Sequence, residues 1–276
     1  MKKRILLTGS TGFVGRQVLA HIAKEDVQIT LVVRGNKQEV TKKYPGVDNV
    51  IITPDLFLET DRWWSRILQD IDTVIHIAWY TVPEKYLYSF KNIDCLQGTL
   101  SMAKGAAQAG VKRFIGIGTC FEYEFSNNVL TIETPLKPLT LYASAKAAAY
   151  LALEHYLASQ GIAFAWCRLF YLYGEAEDSR RLVPYLRAKL SAGEMAEMTS
   201  GKQIRDYMDV SEVGRLISEI TFSTAKGPIN ICSGIPITVK KLAENIADEY
   251  GRRDLLNFGA RPDNLIDPPY VVGLRK

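Results

Sequence analysis

Short apolar runs alternate with segments of helical period through the first two thirds of the chain. The strand-length runs cover residues 5–7, 29–33, 50–52, 73–77, 114–117 and 163–170. Between them, apolar residues recur every three to four positions, as in amphipathic helices, over residues 12–24, 90–109 and 142–159. This β-α-β rhythm predicts an α/β fold, a Rossmann doubly wound parallel sheet with helices on both faces.

The rhythm changes beyond Tyr173-Gly174. From there, Gly and Pro separate short apolar runs from three helical segments, over residues 181–192, 211–224 and 238–250. We therefore expect residues 1–172 to form the Rossmann domain. Residues 173–276 should form mainly a smaller C-terminal α/β lobe over the carboxyl edge of the sheet, with some segments returning to the Rossmann sheet.

Composition and charge narrow the class of protein. The 276 residues are 47% hydrophobic, with a net charge of +4 and no long basic run, so a globular protein without a nucleic-acid partner is expected. The four cysteines are far apart, which predicts free thiols and no metal site. The N-terminal apolar stretch is interrupted at Thr8-Gly9, which predicts a buried strand rather than a signal peptide. No run is long enough to span a membrane, so a cytoplasmic location is expected.

A glycine-rich turn directly follows the first strand and opens the first helix. In Thr8-Gly9-Ser10-Thr11-Gly12-Phe13-Val14-Gly15, the first glycine permits a tight turn, the second lets the backbone approach a pyrophosphate, and the third lets the helix pack closely on the strand. The helix N-terminus then offers N–H groups to phosphates. The pattern predicts a dinucleotide site whose contacts come from Gly9, Thr11, Gly12, Phe13, Val14 and Gly15.

The end of the second strand distinguishes between cofactors. Sites that prefer NAD usually place Asp or Glu there to bind the ribose 2′-hydroxyl, whereas this chain has Arg34. A guanidinium matches the geometry of a 2′-phosphate, and Arg16 and Lys37 could add charge. The sequence therefore favours NADP. Stacking of Arg34 on adenine would leave NAD open.

A second motif carries the candidate chemistry. Tyr142 and Lys146 are four residues apart on a helix and therefore share one face. A nearby ammonium stabilises a phenolate, so we expect Lys146 to lower the pKa of Tyr142. Thr119 follows the fifth strand, at the edge where such sheets bind ligands. Tyr142 can move a proton, Lys146 can hold a nicotinamide ribose, and Thr119 can hold a substrate oxygen.

With these motifs the chain resembles the extended short-chain dehydrogenase/reductase family of nucleotide-sugar epimerases, dehydratases and reductases. Five segments carry the resemblance: the glycine turn (TGxxGFxG), Pro54-Asp55-Leu56 (GDL), His76-Ile77-Ala78-Trp79 (HxAA), residues 168–174 (RxFxxYG) and residues 201–207 (GxxxRDY). The resemblance implies a nucleotide-diphosphate sugar as substrate, a C-terminal substrate lobe, and a homodimer formed through Rossmann helices.

The resemblance also assigns expected contacts. The cofactor set gains Asp55, Leu56, Ile77, Ala78, Trp79 and Phe170, and Lys146 contributes to it as well. Arg205 inherits contact with the sugar nucleotide's diphosphate. The other expected substrate residues are Tyr80, Phe121, Tyr171 and Arg181.

Departures from the family pattern sharpen the expectation. The 4,6-dehydratases follow the catalytic Thr with Asp-Glu, whereas Thr119 is followed by Cys120-Phe121, so dehydration is disfavoured. We interpret Cys120 as a packing residue and Glu122 as a solvated loop carboxylate. Cys95 holds the place of the family's helix asparagine, and Asn92 lies one turn earlier.

Three hypotheses follow. The first is a 4-ketoreductase that uses NADPH on an NDP-4-keto-6-deoxy sugar, with Tyr142 as the proton donor. The second is a 4-epimerase with tightly held NAD, which needs the same Thr119, Tyr142 and Lys146. The third is a non-catalytic dinucleotide sensor or RNA-binding relative. The sequence leaves the sugar, the nucleotide base and the stereochemical outcome open.

Overall fold

A computed structural model of the protein describes residues 2–35, 46–264 and 267–275. Its largest element is a seven-stranded sheet in which every pairing is parallel. Six of its strands come from the first part of the chain: β1 (Lys3–Thr8), β2 (Val27–Val33), β3 (Val47–Ile52), β4 (Thr73–His76), β5 (Arg113–Thr119) and β6 (Ala163–Leu169). With β10 (Gly227–Ile231), the order across the sheet is β10-β6-β5-β4-β1-β2-β3. The predicted doubly wound α/β fold is confirmed.

Helices cover both faces of this sheet because successive strand residues point to opposite sides. On one face, Leu7 and Ile115 pack with α1 (Phe13–Ile22) and α6 (Val210–Phe222). On the other, Leu6 and Phe114 pack with α2 (Asp61–Ile67), α3 (Lys91–Ala109) and α4 (Leu141–Ser159). Both layers are apolar, as parallel sheets require.

The later part of the chain builds two smaller sheets beside the carboxyl edge. In one, β9 (Ile204–Asp209) pairs with β7 (Tyr171–Tyr173), β11 (Pro236–Thr238) and β13 (Tyr270–Val271). In the other, β8 (Ala196–Met198) pairs with β12 (Leu256–Phe258). A separate core here includes α5 (Leu182–Ser191) and α7 (Val239–Tyr250). Residues 210–231 return to the large sheet, whereas the division at residue 172 stays a prediction.

Among the described residues, no helix combines the length and apolar character needed to cross a bilayer. The parallel strands have their carboxyl ends at one edge of the sheet. The glycine turn, Thr119 and the start of α4 lie at that edge.

Candidate active site

The glycine turn has the space and the donors that a dinucleotide phosphate requires. Gly9 has a φ of +75°, and a Cβ there would clash with the backbone nitrogen of Ala78. A Cβ on Gly15 would collide with the Gly9 carbonyl oxygen. Helix α1 begins without a side-chain cap, so its first N–H groups remain available. Ser10 Oγ is buried without a hydrogen-bond partner among the described residues. The turn therefore fits the group that its sequence predicts.

A buried histidine fixes the end of β4 beside this turn. The two His76 ring nitrogens lie 2.9 Å from Thr8 Oγ1 and 2.9 Å from Thr99 Oγ1. Burial, with a smaller contribution from Lys146, lowers the pKa of His76 to about 3, so the ring is neutral. Thr8 Oγ1 also accepts the Ala78 N–H at 3.3 Å. His76 is thus a structural group that holds the predicted cofactor residues Ile77 and Ala78 against Gly9.

The other predicted cofactor residues follow neighbouring strands along the same edge. Arg34 is exposed directly after β2 and makes no ion pair with the described residues. Asp55 caps a short 3-10 turn that begins at Leu56, and its carboxylate accepts the Phe57 N–H at 3.0 Å. Phe170 follows β6 and is buried in an apolar cluster.

Two further residues, Arg16 and Lys37, were expected to add positive charge for the cofactor. Arg16 donates to the Thr11 carbonyl at 3.1 Å, so it braces the turn. Lys37 lies outside the described residues.

The three predicted catalytic residues lie at the end of β5 and the start of α4. Thr119 ends β5, and Tyr142 and Lys146 lie on the first turns of α4, whose N-terminus is capped by Thr140. The Thr119 side chain is close enough to the Tyr142 phenol to lower its pKa, against the larger effect of burial. Lys146 is buried, donates to the Ile117 carbonyl at 2.6 Å, and lies 3.8 Å from the centre of the Trp79 ring.

The surroundings of Tyr142 shift its pKa in the direction opposite to the one expected. The sequence predicted that Lys146 lowers the pKa of Tyr142, but burial raises it, and a neighbouring phenol, Tyr86, raises it further. The physical reason is that the Lys146 ammonium is engaged by the Ile117 carbonyl and the Trp79 ring. Burial lowers the pKa of Lys146 itself to about 7, against the opposing effect of the Glu122 carboxylate.

Asn92 positions the aromatic ring over Lys146. Its Oδ1 accepts the Trp79 indole N–H at 2.9 Å, and its amide donates to the carbonyls of Tyr86 and Ser89 at 2.6 and 2.9 Å. Cys95, which holds the place of the family's asparagine, is a buried thiol whose pKa is raised to about 11 by burial. Asn92 therefore shapes the site indirectly, through Trp79.

Tyr86 is a site residue that the sequence reasoning missed. Its ring meets the Tyr142 ring edge to face, with 4.8 Å between centres. Arg181, the predicted substrate residue that precedes α5, lies 5.6 Å from the Tyr86 ring centre. Burial raises the pKa of Tyr86 while Arg181 lowers it. Tyr86 lies outside any helical period or motif, so no local signal could have identified it.

The remaining predicted substrate residues divide into three groups. Phe121 and Tyr171 meet edge to face at 6.0 Å. Arg205 lies 5.1 Å from the Tyr171 ring centre, is buried, and pairs with Asp267 at 2.6 Å. Tyr80 stands apart, facing the ammonium of Lys91 at 5.3 Å. The structure therefore brings Phe121, Tyr171 and Arg205 together beside Thr119.

Two carboxylates differ from the picture drawn from the sequence. Glu122, expected to be solvated, is fully buried and forms an ion pair with Arg168. The expectation was wrong because its partners come from β6, far away in sequence. Glu177, which had not been singled out, has one carboxylate oxygen buried without a hydrogen-bond partner in the described residues, and burial raises its pKa to about 7. The interpretation of Cys120 as a packing residue agrees with its burial.

Known proteins share both the sequence pattern and the fold. The pattern of the NAD dependent epimerase/dehydratase family matches residues 5–232. A dTDP-6-deoxy-L-talose 4-dehydrogenase (NAD(+)) from Aggregatibacter actinomycetemcomitans is 20% identical over 276 residues, covering 98% of this chain and 99% of the relative.

Solved structures extend the comparison to three dimensions. A UDP-N-acetylglucosamine 4-epimerase from Methanobrevibacter ruminantium M1, in complex with UDP-N-acetylmuramic acid, has a TM-score of 0.86 at 22% identity, covering 100% of this chain and 91% of that one. A dTDP-glucose 4,6-dehydratase from Streptomyces venezuelae with NAD bound has a TM-score of 0.83 at 20% identity, covering 99% and 88%. These TM-scores establish a shared fold.

The family match spans most of the chain, and the curated relative that the chain matches over almost its whole length is named as an enzyme. The chain belongs to the NAD dependent epimerase/dehydratase family and is an enzyme of the extended short-chain dehydrogenase/reductase class.

Proposed function

We propose that this enzyme is an NAD(P)-dependent 4-ketoreductase that acts on an NDP-4-keto-6-deoxy sugar. The observation that carries the proposal is the assembly of Thr119, Tyr142 and Lys146 beside the glycine turn, with Cys120 and Phe121 where dehydratases have their acid and base. When bound, the reduced dinucleotide supplies a hydride. The protein must supply a proton and hold the ketone in place.

Each residue of the group has a role that its environment supports. Tyr142 donates its phenolic proton to the C4 oxygen, and burial, which raises its pKa, keeps that proton in place until transfer. Thr119 orients the same oxygen with its hydroxyl. Lys146 would hold the nicotinamide ribose. Phe121 carries no titratable group, and burial raises the pKa of the Cys120 thiol, so neither would catalyse water loss.

Substrate selection follows from the same site. Phe121 and Tyr171 present an aromatic wall beside Thr119, which suits the methyl group of a 6-deoxy sugar. Arg181 and Arg205 are two cations that we expect to bind the diphosphate of the substrate. Arg205 is ion-paired with Asp267, so it would bind the phosphate from that pair. The talose dehydrogenase that the chain resembles is named for redox chemistry at C4 of a dTDP-6-deoxy sugar.

NADP is the cofactor we favour, because the exposed guanidinium of Arg34 follows β2, where NAD sites place a carboxylate. The relative and the dehydratase structure described above are both named with NAD. Fluorescence titration with NADPH and NADH tests this choice. Arg34→Ser should weaken NADPH binding about tenfold and leave NADH binding unchanged, since it removes one charge-assisted phosphate contact. Equal loss for both cofactors would assign Arg34 to adenine stacking.

The activity itself is tested with UDP- and dTDP-4-keto-6-deoxyglucose and NADPH. Oxidation of one NADPH for each sugar nucleotide reduced would support a ketoreductase. The second candidate, a 4-epimerase, uses the same Thr119, Tyr142 and Lys146. Interconversion of NDP-hexoses without added cofactor, with NAD retained through purification, would replace the reductase by the epimerase.

We also propose that the enzyme works as a cytoplasmic homodimer. Helices α3 and α4 pack side by side, and the large apolar side chains of Ile93 and Leu151 on them are exposed. Exposed apolar side chains on paired helices suit an isologous interface. Light scattering on the purified protein gives the mass that tests the dimer.

A further inference from the structure

Glu122 is a fully buried carboxylate at the end of the short 3-10 turn that follows Thr119, the residue proposed to orient the substrate oxygen. Its Oε1 accepts the backbone N–H of Thr119 at 2.8 Å. Taking a carboxylate out of water is costly unless the charge is paired and hydrogen-bonded. Its presence here therefore needs specific partners, and both come from β6.

These partners fix the carboxylate at several points. Arg168 Nε donates to Oε2 at 2.8 Å, and the Trp166 indole N–H donates to both oxygens at 3.0 and 3.1 Å. The guanidinium itself lies between the rings of Tyr123 and Tyr150, with 4.6 Å to each centre. A side chain at Gly118 would collide with both the indole and the carboxylate, so β5 leaves them the space they occupy.

The contact with Thr119 acts on the geometry of the reaction. Glu122 holds the Thr119 N–H, while Thr119 Oγ1 accepts the Phe121 N–H at 3.3 Å. The two bonds fix the residue from both sides. The hydroxyl hydrogen stays available to donate toward Tyr142 or a substrate oxygen.

A second effect reaches Lys146 through space. Its ammonium lies 5.7 Å from the Trp166 ring centre, and that indole donates to Glu122. The groups that act on this ammonium are Glu122 after β5 and Cys95 on α3, which both favour its charged form, while burial opposes it. His76 on β4 is neutral, Tyr142 on its own helix keeps its proton, and Arg168 carries the remaining nearby positive charge. Burial raises the pKa of Glu122, while the Arg168 guanidinium, the Thr119 N–H and the Trp166 indole act in the opposite direction and stabilise its charged form.

We propose that Glu122 is a positioning residue of the active site, which fixes Thr119 through its backbone N–H and keeps Lys146 protonated as its buried counter-charge. The proposal rests on the proposed function, because Thr119 and Lys146 take their roles from it. It assigns Glu122 no contact with substrate or cofactor.

The test is the pH dependence of Glu122→Gln, which keeps the shape and removes the charge. Without the carboxylate and beside an unpaired Arg168, Lys146 loses its proton at lower pH. The basic limb of the kcat/KM profile should therefore move to lower pH by about one unit. At about pH 8.5, kcat/KM should fall about tenfold relative to the wild type, and at about pH 6 it should stay within about threefold of the wild type. The affinity for NADPH, measured by fluorescence over the same range, should show the same displacement. Glu154→Gln is the matched control, because Glu154 accepts the Tyr150 hydroxyl at the half-exposed rim of the same cluster, and it should keep the wild-type profile.

A loss that is equal at every pH, or an unchanged profile, would overturn the proposal. If Glu122→Gln does not fold, Trp166→Phe is measured instead. It removes the indole donor together with part of the buried ring, and it should displace the limb in the same direction by a smaller amount. A folded Trp166→Phe with the wild-type limb would also overturn the proposal. Lys146→Met and Tyr142→Phe are measured in parallel. If they keep full activity, the proposed function fails; if they lose it while Glu122→Gln keeps the wild-type profile, only this inference fails.

Discussion

The proposed catalytic residues Thr119, Tyr142 and Lys146 are supported on two sides, and the two supports are built differently. Behind Thr119, Glu122 and Arg168 form an ion pair at 2.8 Å whose side chains are 0% and 1% exposed. In front, Tyr86 meets Tyr142 through ring edges and reaches Arg181, an exposed residue from the later part of the chain. The rear support is buried, so water cannot take the place of a lost partner there, whereas water can reach the exposed Arg181 of the front support. We therefore expect the rear support to determine the stability of the fold and the fixed geometry of the proposed catalytic residues. We expect the front support to affect substrate binding.

Tyr142 is served by both supports, and its hydroxyl should carry the largest effect. Tyr142→Phe removes the proton donor and keeps the ring that packs on Tyr86. We expect kcat to fall by about 10²- to 10⁴-fold, the usual contribution of a general acid, with little change in the free energy of unfolding. Steady-state kinetics on the 4-keto sugar nucleotide measures the loss. A smaller loss, below about threefold, would mean that another group donates the proton.

Arg168→Met should have the next largest effect, on stability. The variant keeps most of the volume but leaves Glu122 as a buried charge without its counter-ion. The cost expected for breaking a buried pair is about 3–5 kcal/mol in the free energy of unfolding, measured by urea denaturation. The double variant with Glu122→Gln should recover much of it, since neither charge then remains. A double variant that is as unstable as the sum of the two single variants would show that the residues act independently.

Tyr86→Phe tests the front support and should have a smaller effect. Only the hydroxyl on which the Arg181 guanidinium acts is lost, while the edge contact with Tyr142 remains. A polar interaction at a partly exposed site is worth about 1 kcal/mol, so we expect kcat/KM to fall about three- to tenfold. Stability should stay near that of the wild type. A large drop in the free energy of unfolding would show that Tyr86 acts on stability, as the rear support does.

The same contrast explains what the sequence could predict. The strands of the α/β sheet were predicted correctly because each depends on local spacing. The roles of the glycine turn, Thr119, Tyr142 and Lys146 stay predictions, which rest on strand ends that share one edge. Glu122 was misjudged because its partner Arg168 lies 46 residues away. Nothing in the residues around Glu122 indicates that an arginine on β6 will lie opposite it. The pKa of Tyr142 was misjudged for a related reason, since the direction depends on burial and on where the Lys146 ammonium points.

An exposed ion pair provides the smallest expected effect and completes the comparison. Arg187 on α5 pairs with Glu249 on α7 at 2.6 Å, with side chains 44% and 50% exposed. Its distance is shorter than that of Glu122–Arg168, so distance alone would rank it first. Water screens the exposed charges, however, and each recovers its hydration when the other is removed. We therefore expect Arg187→Gln to lower the free energy of unfolding by about 0.2–1 kcal/mol, and less at high salt. If this variant cost as much as Arg168→Met, burial would not be what separates the two pairs, and the distinction between the rear and the front of the site would lose its physical basis.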